Sequence, residues 1–535
     1  MEIISTLTAI FVAASITLLI FDRFNHPAIP AYIIAGLSVG YFIDSQSLLD
    51  LAQIGIAFLV FIFGLKFDPK RLRDEAKTSL NATTSQLLLT SLIAFSAASI
   101  IGYNSFDSAV FAIAAGLSSS LIGLELAEKE IQFELLHGRI AESIHMIQDI
   151  LGLLILGVIF ASTAESAVTS LGITVGMLLF ALLLREFAFD FIAEQADFSS
   201  ELMMLSGLTA LVGFISLTQF FEIPMAIGAF AAGLTAAKFP HNMELLDTMG
   251  SIKDFFSAVF FVALGALVTL PSLNILGLAA LLVFFTSFVN PYASYKALRL
   301  QGYDARTSML ASFPLDQISE ITLIIAIQAS ILGLLSDSMF QAVLLAAVVS
   351  MMISSYTKKY EEELYQLLKP DRKAEEPLDL EDHVIVVGHH IQGKRILEHL
   401  QEEGVKVAVI DNDPEKVSET REKDIPAVYG DIMDQETWTE ANYTEARLIV
   451  STVPSRKVSE KILDLERPED KIVRASDPWE AVEHMENGAL HAVVPDIAAS
   501  ELLIDHIEGI MNNENYREEL RRKSLLEVRE YLESQ

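Results

Sequence analysis

Long apolar segments, repeated through the first 356 residues, are the feature that most limits how this 535-residue chain can fold. Each has about 17–25 residues, the length at which an α-helix crosses the hydrocarbon core of a bilayer. Because no water is available there, such a segment satisfies its backbone hydrogen bonds as a helix. Residues 1–356 are therefore predicted to form a polytopic all-α membrane domain in contact with the lipid bilayer.

Hydropathy predicts about thirteen transmembrane helices in this domain. The predicted spans are 3–20, 28–43, 50–65, 80–101, 106–125, 140–161, 169–189, 201–219, 223–238, 253–270, 273–297, 306–333 and 337–356. Basic side chains such as Lys66, Lys77 and Arg139 fall in alternate loops, and the other loops are acidic. Since basic loops stay in the cytoplasm, the sequence predicts a multi-pass plasma-membrane protein with its N-terminus outside and its C-terminal domain cytoplasmic.

Two of the predicted spans are interrupted. Ser118, Ser119 and Ser120 fall together in the fifth span, and Pro314 with Asp316 breaks the twelfth. Broken helices at membrane depth persist where they line a cavity, and inverted-repeat transporters carry them in both halves. The pattern predicts inverted repeats with broken crossing helices. For the serine cluster alone, close helix packing through small residues is the alternative.

An ionisable residue lies inside the sixth span, in the pair Gln148-Asp149. A carboxylate at bilayer depth is costly unless it is paired, hydrated or bound to an ion, so it marks a candidate functional site. A single carboxylate that binds either a proton or a cation can exchange one for the other. The Gln148 amide offers an oxygen without adding charge, and oxygen ligands suit a hard cation. The alternative is a structural carboxylate capped by hydroxyls.

Other charged residues also occur within the apolar spans. Arg185, beside Glu186, and Glu320 are interpreted as a structural pair that stabilises one bundle of helices. Asp316 is a candidate second titrating site. Thiolate metal sites and disulfides are excluded, because the chain has no cysteine.

The sequence changes character after the last predicted span. A polar linker over 357–382 leads to the apolar run His383 to Val387, a buried strand that enters a glycine turn. Alternating helices and strands follow, with helices predicted at 393–403, 414–421 and 434–441 and strands at 405–410, 426–429, 447–451, 471–474 and 491–494. Residues 383–510 are therefore predicted to form an α/β Rossmann-like domain with a doubly wound parallel sheet, followed by a charged helical tail over 511–535.

The glycine turn of this domain lacks one glycine of the dinucleotide-binding fingerprint. The full motif is G-x-G-x-x-G, and here the turn reads Gly388-His389-His390-Ile391-Gln392-Gly393. The following helix can still hold a phosphate at its N-terminus, and Asp411 is placed to bind ribose hydroxyls. We expect an adenine nucleotide, AMP, ATP or NAD(H), as a small-molecule regulatory ligand. Its candidate site comprises the turn together with Asp411, Asn412, Asp431, Ile432 and Thr452.

The net charge of −33 argues against nucleic acid as a partner, since no basic stripe is available to bind phosphates. The acidity fits either a salty cytoplasm or simply an acidic regulatory domain. An enzyme is not expected, because no substrate domain follows the sheet.

Several motifs together resemble the Kef-type branch of the cation:proton antiporter-2 family over nearly the whole chain. Gln148-Asp149 matches that branch's QD pair. The other similar motifs are Ser118-Ser119-Ser120, Arg185-Glu186-Phe187, Gly228-Ala229-Phe230-Ala231-Ala232-Gly233 and Phe260-Phe261-Val262-Ala263-Leu264-Gly265. The C-terminal part resembles the RCK (TrkA-N type) ligand-sensing domain. The resemblance implies a homodimeric antiporter with an elevator-type core, and it carries the family's ion carboxylate to Asp149.

The chain departs from this family at two membrane positions. The family's Gly-Gly-Glu-Phe is replaced by Ile318-Ser319-Glu320-Ile321, and its intramembrane lysine falls on Asn290. A mechanism in which a lysine competes with the cation for the carboxylate is therefore not expected. The missing middle glycine of the turn is a third departure, at the nucleotide site.

Together these features predict a proton-coupled monovalent cation antiporter, most simply for K+, regulated by nucleotide binding to the RCK domain. Na+/H+ exchange by the same mechanism is the first alternative. A K+ channel gated by the RCK domain is an alternative of another class, although the sequence lacks the T-V-G-Y-G filter that strips K+ of water.

Overall fold

The computed structural model describes residues 2–23, 28–40, 45–67, 76–132, 135–161, 163–195, 200–237, 241–269, 271–368, 377–512, 516–518 and 520–522. The chain divides into two compact units, Met1–Lys369 and Pro370–Gln535. We call them the helical unit and the α/β unit and describe each separately.

The helical unit is built from helices whose positions follow the predicted spans. In its first half they are Glu2–Asp22, Ala28–Val39, Ser45–Lys66, Ala76–Ile101, Ser105–Gly116, Ser120–Leu126, Glu128–Gln132 and Leu136–Val158. In its second half they are Ala164–Gln195, Ser200–Phe220, Met225–Ala236, His241–Ala266, Leu273–Phe284, Asn290–Leu300, Ala305–Ser312, Glu320–Ile331, Asp337–Lys359 and Glu361–Leu368. A π-helical turn, Phe285–Val289, joins Leu273–Phe284 to Asn290–Leu300.

Within the described residues, six helices are long and apolar enough to cross a bilayer. They cover Lys77–Ile101, Leu136–Val158, Glu165–Glu186, Leu202–Phe220, Leu273–Leu300 and Asp337–Lys359. Six further apolar helices are shorter, and two of these belong to interrupted spans. The number of crossings, about thirteen from hydropathy, stays a prediction.

Glycines allow some of these helices to pack with their backbones in contact. A Cβ on Gly233 would lie 2.0 Å from the Phe61 carbonyl oxygen, and one on Gly64 would lie 2.2 Å from the Phe230 carbonyl oxygen. The helix Met225–Ala236 is buried from its second residue to its last. The glycine-rich motif on this helix therefore serves close helix packing, as small residues do in membranes.

Two interrupted helices form what we call the first and second crossing segments. The first consists of Ser105–Gly116 and Ser120–Leu126, and the second of Ala305–Ser312 and Glu320–Ile331. The breaks between their halves meet in an antiparallel β-bridge between Ser118 and Ile318. The predicted broken crossing helices are thus present, one in each half of the unit.

The first part of the predicted linker packs onto the helical unit as the helix Glu361–Leu368. Arg306, next to the start of the second crossing segment, donates to both oxygens of Glu362, at 3.0 and 2.7 Å. Its guanidinium also lies over the buried ring of Tyr365. The linker helix is therefore fastened to the second crossing segment. Residues 369–376 of the linker lie outside the described residues.

The α/β unit contains a parallel sheet of six strands. They are β1 His383–Val387, β2 Val407–Asp411, β3 Ala427–Tyr429, β4 Ala446–Ser451, β5 Asp470–Arg474 and β6 His491–Val493. The helices between and after them are Ile391–Glu402, Pro414–Glu422, Gln435–Glu440, Arg456–Leu463, Pro478–Glu486 and Pro495–Asn512. The strand order is β3-β2-β1-β4-β5-β6. This is the predicted doubly wound sheet, and its order reverses between β1 and β4, where such folds open a crevice.

The end of the chain is described only in part. Among the described side chains of Pro495–Asn512, none is buried. Of the predicted tail, 511–535, the described residues are 511–512, 516–518 and 520–522. The predicted charged helix over the rest of the tail lies outside the described residues.

Candidate functional site

Serine caps shape the break in each crossing segment. The Ser119 hydroxyl accepts a hydrogen bond from Ile122 N at 3.2 Å, and the Ser319 hydroxyl accepts one from Ile321 N at 3.1 Å. Ser319 N also donates to the Leu117 carbonyl at 3.1 Å, which joins the two breaks. Since serine is a preferred N-cap residue, each of these serines marks the position where the extended backbone of the break ends and the next helix begins.

Asp149 lies on the helix Leu136–Val158, beside these breaks. It is buried, with 8% of its surface exposed. Its carboxylate is close to the Ser120 hydroxyl and to the Glu320 carboxylate. The Ser120 oxygen makes no standard hydrogen bond in the described part of the chain, so it is available as a ligand. The site thus combines two acidic groups with a hydroxyl oxygen.

The Gln148 side chain belongs to a buried network of amides. Its Oε1 accepts a hydrogen bond from Ser118 N at 2.9 Å, and its Nε2 donates to Gln86 Oε1 at 3.0 Å. Gln86 Nε2 donates to the Gly116 carbonyl at 2.8 Å and to the Asn290 side chain. The three amide side chains are at most 1% exposed. The network therefore holds the helix that carries the carboxylate against the first break.

Asn290 extends this network to the second crossing segment. Its Nδ2 donates to Ser118 Oγ at 3.0 Å and to the Leu315 carbonyl at 2.9 Å. Ser118 Oγ donates to the same carbonyl at 2.9 Å. A lysine at position 290 would bring a positive charge to this place, whereas the asparagine supplies hydrogen bonds without charge.

Glu320 and Arg185, interpreted above as a structural pair, have different partners in the structure. A carboxylate oxygen of Glu320 accepts a hydrogen bond from the Ser119 hydroxyl. Arg185 Nε donates to the Ala237 carbonyl at 2.8 Å, just beyond the end of the helix Met225–Ala236. An arginine there satisfies a terminal carbonyl and complements the helix dipole. Their placement is consistent with two separate structural roles.

Three polar residues that the sequence analysis did not single out also take part. Gln86 connects the amide network described above. Gln317 Nε2 donates to the Ser119 and Pro314 carbonyls at 3.0 and 2.9 Å, and its Oε1 accepts from Ser354 Oγ at 2.7 Å. Gln86, Gln317 and Ser354 are polar residues within apolar spans, a signal related to the one that marks the QD pair.

In the α/β unit, the predicted glycine turn follows β1. Gly388 has a φ of +91°, which a glycine adopts without strain. A Cβ on Gly393 would lie 1.9 Å from the Gly388 carbonyl oxygen, so the helix Ile391–Glu402 packs directly on the turn. His390 replaces the middle glycine in an extended conformation that any residue can adopt. Its Nδ1 lies 2.9 Å from Lys416 Nζ, a cation beside the turn.

Asp411, at the end of β2, helps to shape this turn. Its Oδ2 accepts a hydrogen bond from His389 N at 2.6 Å, and its Oδ1 accepts one from Asp413 N at 2.8 Å. Because a carboxylate oxygen can accept more than one hydrogen bond, a ribose hydroxyl could share these oxygens. The His389 ring lies 2.6 Å from Thr420 Oγ1, and burial lowers the pKa of His389, although Asp411 opposes this shift.

The remaining candidate ligand residues surround the carboxyl ends of the strands. Thr452 follows β4, and its Oγ1 donates to the Val387 and Gly388 carbonyls at 3.1 Å. Asp431 Oδ1 accepts from Met433 N at 3.0 Å. Gln392 Oε1 lies 3.4 Å from the Arg474 guanidinium, and the Ile432 carbonyl accepts a hydrogen bond from Trp438 Nε1 at 2.6 Å. Asn412 is half-buried, and the side chain of Ile391 lies outside the described part. All of them fall at the edge where doubly wound folds bind ligands.

Comparison with known families identifies both units. Residues 9–359 match the model of the family described as "Sodium/hydrogen exchanger, transmembrane", and residues 384–495 match that of the TrkA-N domain. The first match covers more than half of the chain. The chain therefore belongs to the sodium/hydrogen exchanger family of cation/proton antiporters, and its α/β unit is a TrkA-N domain.

Known relatives resemble the chain over most of its length. It is 23% identical to "Putative cation/proton antiporter YbaL" of Escherichia coli (strain K12), over 95% of this chain and 97% of that one. It is 25% identical to "Putative K(+) efflux antiporter KefB" of Alkalimonas amylolytica, over 92% of this chain and 79% of that one.

A solved structure resembles the helical unit. The sodium proton antiporter MjNhaP1 from Methanocaldococcus jannaschii, 16% identical, aligns with a TM-score of 0.54 over 69% of this chain and 100% of that one. The likeness confirms the predicted fold of the membrane domain.

Proposed function

We propose that the chain exchanges K+ for H+ across the plasma membrane, with the cation and the proton competing for Asp149. The observation that carries this proposal is the buried Asp149 carboxylate beside two broken helices, where no basic side chain of the described residues interacts with it. A carboxylate without a basic partner needs either a proton or a cation. Relatives named for K+ efflux support K+ as the cation.

The neighbouring residues divide into ligands and supports. Asp149 and Ser120 bind the cation directly, because the Ser120 oxygen has no standard hydrogen bond among the residues described. Ser118, Ser119 and Gln148 hold the break in position through the hydrogen bonds given above. Protonation of Asp149 removes its charge and releases the cation, so the two ions cannot be bound there together.

Flux in proteoliposomes tests the proposal. Addition of K+ to vesicles that contain the purified chain should evoke proton movement, and Asp149→Asn should abolish it. Asp337→Asn, at an exposed helix start, is the matched control and should exchange normally. K+-evoked proton flux retained in Asp149→Asn would refute the role of this carboxylate.

Na+/H+ exchange by the same mechanism is the second candidate, favoured by the family description and by the sodium proton antiporter that shares the fold. Both cations use oxygen ligands, so the described residues do not by themselves select between them. Parallel assays with Na+ and K+ at matched ionic strength decide the substrate. Flux with Na+ alone would keep the mechanism and change the cation.

For regulation, we propose that an adenine nucleotide, AMP, ATP or NAD(H), binds the glycine turn of the TrkA-N domain. The TrkA-N match and the turn beside Asp411 support it. Calorimetry on the full chain should detect one of these ligands. His390→Gly, which restores the fingerprint, should favour dinucleotides over mononucleotides, and His399→Ala on the same helix should not. Absence of binding by all these nucleotides would refute the proposal.

We further propose a homodimer paired through both units, with the N-terminus outside and the α/β unit in the cytoplasm. The positive-inside pattern supports the orientation. Since the chain has no cysteine, single introduced cysteines report it directly. In right-side-out vesicles an impermeant maleimide should label Thr163→Cys and spare Gln301→Cys. Light scattering on the detergent-solubilised chain measures the oligomeric state.

A further inference from the structure

A second acidic side chain lies buried in the crossing region without a hydrogen bond. Asp316 follows the short 3-10 turn Phe313–Leu315 in the break of the second crossing segment. It is 1% exposed, and neither of its carboxylate oxygens has a hydrogen-bond partner among the described residues. Its backbone carbonyl, in contrast, accepts from Ser287 Oγ at 2.9 Å. The main-chain carbonyl is therefore satisfied while the carboxyl group is not.

Hydroxyl groups are the polar neighbours of this carboxyl group. Ser354 and Thr357, on the helix Asp337–Lys359, both interact with Asp316. Their hydrogens are directed to other acceptors, since Ser354 Oγ donates to Gln317 Oε1 at 2.7 Å and Thr357 Oγ1 donates to the Ile353 carbonyl at 3.2 Å. Both hydroxyls are thus already engaged, and neither makes a hydrogen bond to an Asp316 carboxyl oxygen.

Of the titratable groups on the packed helices, Glu320 and Lys358 have other partners, and neither ring nitrogen of His145 has a hydrogen-bond partner among the described residues. No charged side chain among the described residues interacts with Asp316. The nearby titratable groups are His145, Glu320 and Lys358. The His145 ring and the Pro314 carbonyl both border Gly123. Glu320 accepts a hydrogen bond from Ser119, and Lys358 pairs with Glu130 and Glu361. Asp316 thus has no counter-charge, and Asn290, at the family's lysine position, donates elsewhere.

An ionised carboxylate in this environment is strongly disfavoured. A proton on Asp316 removes this charge without the need for a counter-ion. A K+ ion would need a shell of several oxygens around it instead. The geometry therefore favours a proton over a cation at this position.

We propose that Asp316 is a second proton-binding site of the antiporter, which releases its proton when a cation binds at Asp149. This inference rests on the proposed function. Entry of a cation places a positive charge in the crossing region and favours the ionised form of both carboxyl groups. Thr357 and Ser354, which interact with Asp316, lie towards the end of Asp337–Lys359 that carries Lys358. One cation is then exchanged for two protons, so transport carries net charge.

Proton release on cation binding tests this directly. The purified full chain is placed in weakly buffered detergent solution, and K+, then Na+, is added while a pH dye is read. The wild type should release about two protons per bound cation and Asp316→Asn about one. Asp149→Asn should release none. Infrared difference spectra should show a protonated carboxyl band that cation addition removes and that Asp316→Asn lacks.

A matched control distinguishes the loss of a titrating carboxyl group from a general loss of structure. Asp107 is equally buried, but its oxygens accept from Ser336 N and Asn104 Nδ2, both at 3.0 Å. Asp107→Asn should leave the number of released protons unchanged. In proteoliposomes, exchange by the wild type should respond to an imposed membrane potential, and exchange by Asp316→Asn should not.

The outcomes distinguish the two proposals. If the wild type and Asp316→Asn release equal numbers of protons and respond equally to potential, Asp316 keeps its proton throughout and this inference is wrong, while antiport stands. If Asp316→Asn loses all exchange although it binds the cation, the role is structural and the inference is also wrong. If the wild type shows no cation-evoked proton release or flux, the proposed function itself fails.

Discussion

Replacement of Gln86 by leucine tests the amide network beside the proposed transport site. Gln86 lies on the helix Ala76–Ile101 and is 1% exposed. Its amide forms hydrogen bonds with the Gly116 carbonyl, the Gln148 amide and the Asn290 side chain. Leucine has a similar volume, so packing is largely kept and the loss is polar. We expect a less stable helical unit and weaker cation binding at Asp149.

The magnitude follows from the groups left without partners. The Gly116 carbonyl and Asn290 Oδ1 each lose a donor and Gln148 Nε2 loses an acceptor, and each buried orphan costs about 1–3 kcal/mol. The greater apolarity of leucine offsets about 1–2 kcal/mol of that total. A net destabilisation of about 1–8 kcal/mol is therefore expected. In addition, the freed Gln148 side chain no longer fixes Ser118 N, so the break next to Asp149 should become less well positioned.

Two measurements on the full chain check this expectation. Thermal unfolding in detergent, followed by loss of the monodisperse species in size-exclusion chromatography, reports the stability of the helical unit. K+-evoked proton flux in proteoliposomes reports the site. The matched control is Ser85→Leu, one residue away and exposed on the same helix. Equal midpoints and equal apparent K+ affinities for the two variants would show that the network supports neither stability nor the site.

Two further predictions concern packing and pH. Gly233→Ala places a Cβ against the Phe61 carbonyl oxygen, 2.0 Å away before relaxation, so the helical unit should lose at least about 1–3 kcal/mol. Gly176→Ala, a helical position with open space, should be neutral or stabilising in the same unfolding assay, and equal losses would refute the packing role. Because burial lowers the pKa of His389, its contribution to the α/β unit is present above about pH 6.5 and is lost as pH falls towards that lowered value. Tryptophan fluorescence should show a steeper acid loss of stability in the wild type than in His389→Gln, since both tryptophans lie in this unit, and parallel pH profiles would contradict it.

Features that repeat along the chain could be predicted from the sequence. The span at 140–161 follows from composition, and the helix observed is Leu136–Val158. The breaks follow from Ser118 to Ser120 and from Pro314, because serine caps and proline interrupt a helix wherever they occur. The parallel sheet follows from short apolar strands alternating with helices, and its strands fall within two residues of the predicted ones.

Partners that are distant in sequence could not be predicted in the same way. Gln86 and Asn290 are 204 positions apart, and no local pattern in one chain indicates that their amides meet. Arg185 shows the same limit, because an intramembrane cation can be satisfied by a carboxylate or by a helix-terminal carbonyl, and the sequence does not reveal which is near. The position of a buried polar group can thus be read locally, whereas its partner depends on the packing.

The absence of a lysine at position 290 changes what the remaining charges have to do. Where a lysine faces the ion carboxylate, the lysine can carry the exchanged proton. Here Asn290 is neutral, and Asp149, Glu320 and Asp316 are acidic, so position 290 offers no amine to hold the exchanged proton. Glu320 accepts a hydrogen bond from the Ser119 hydroxyl, whereas neither carboxyl oxygen of Asp316 has a hydrogen-bond partner among the described residues. Under the two proposals made above, Asp149 accounts for one exchanged proton, and Asp316 decides whether the exchange is neutral or carries charge.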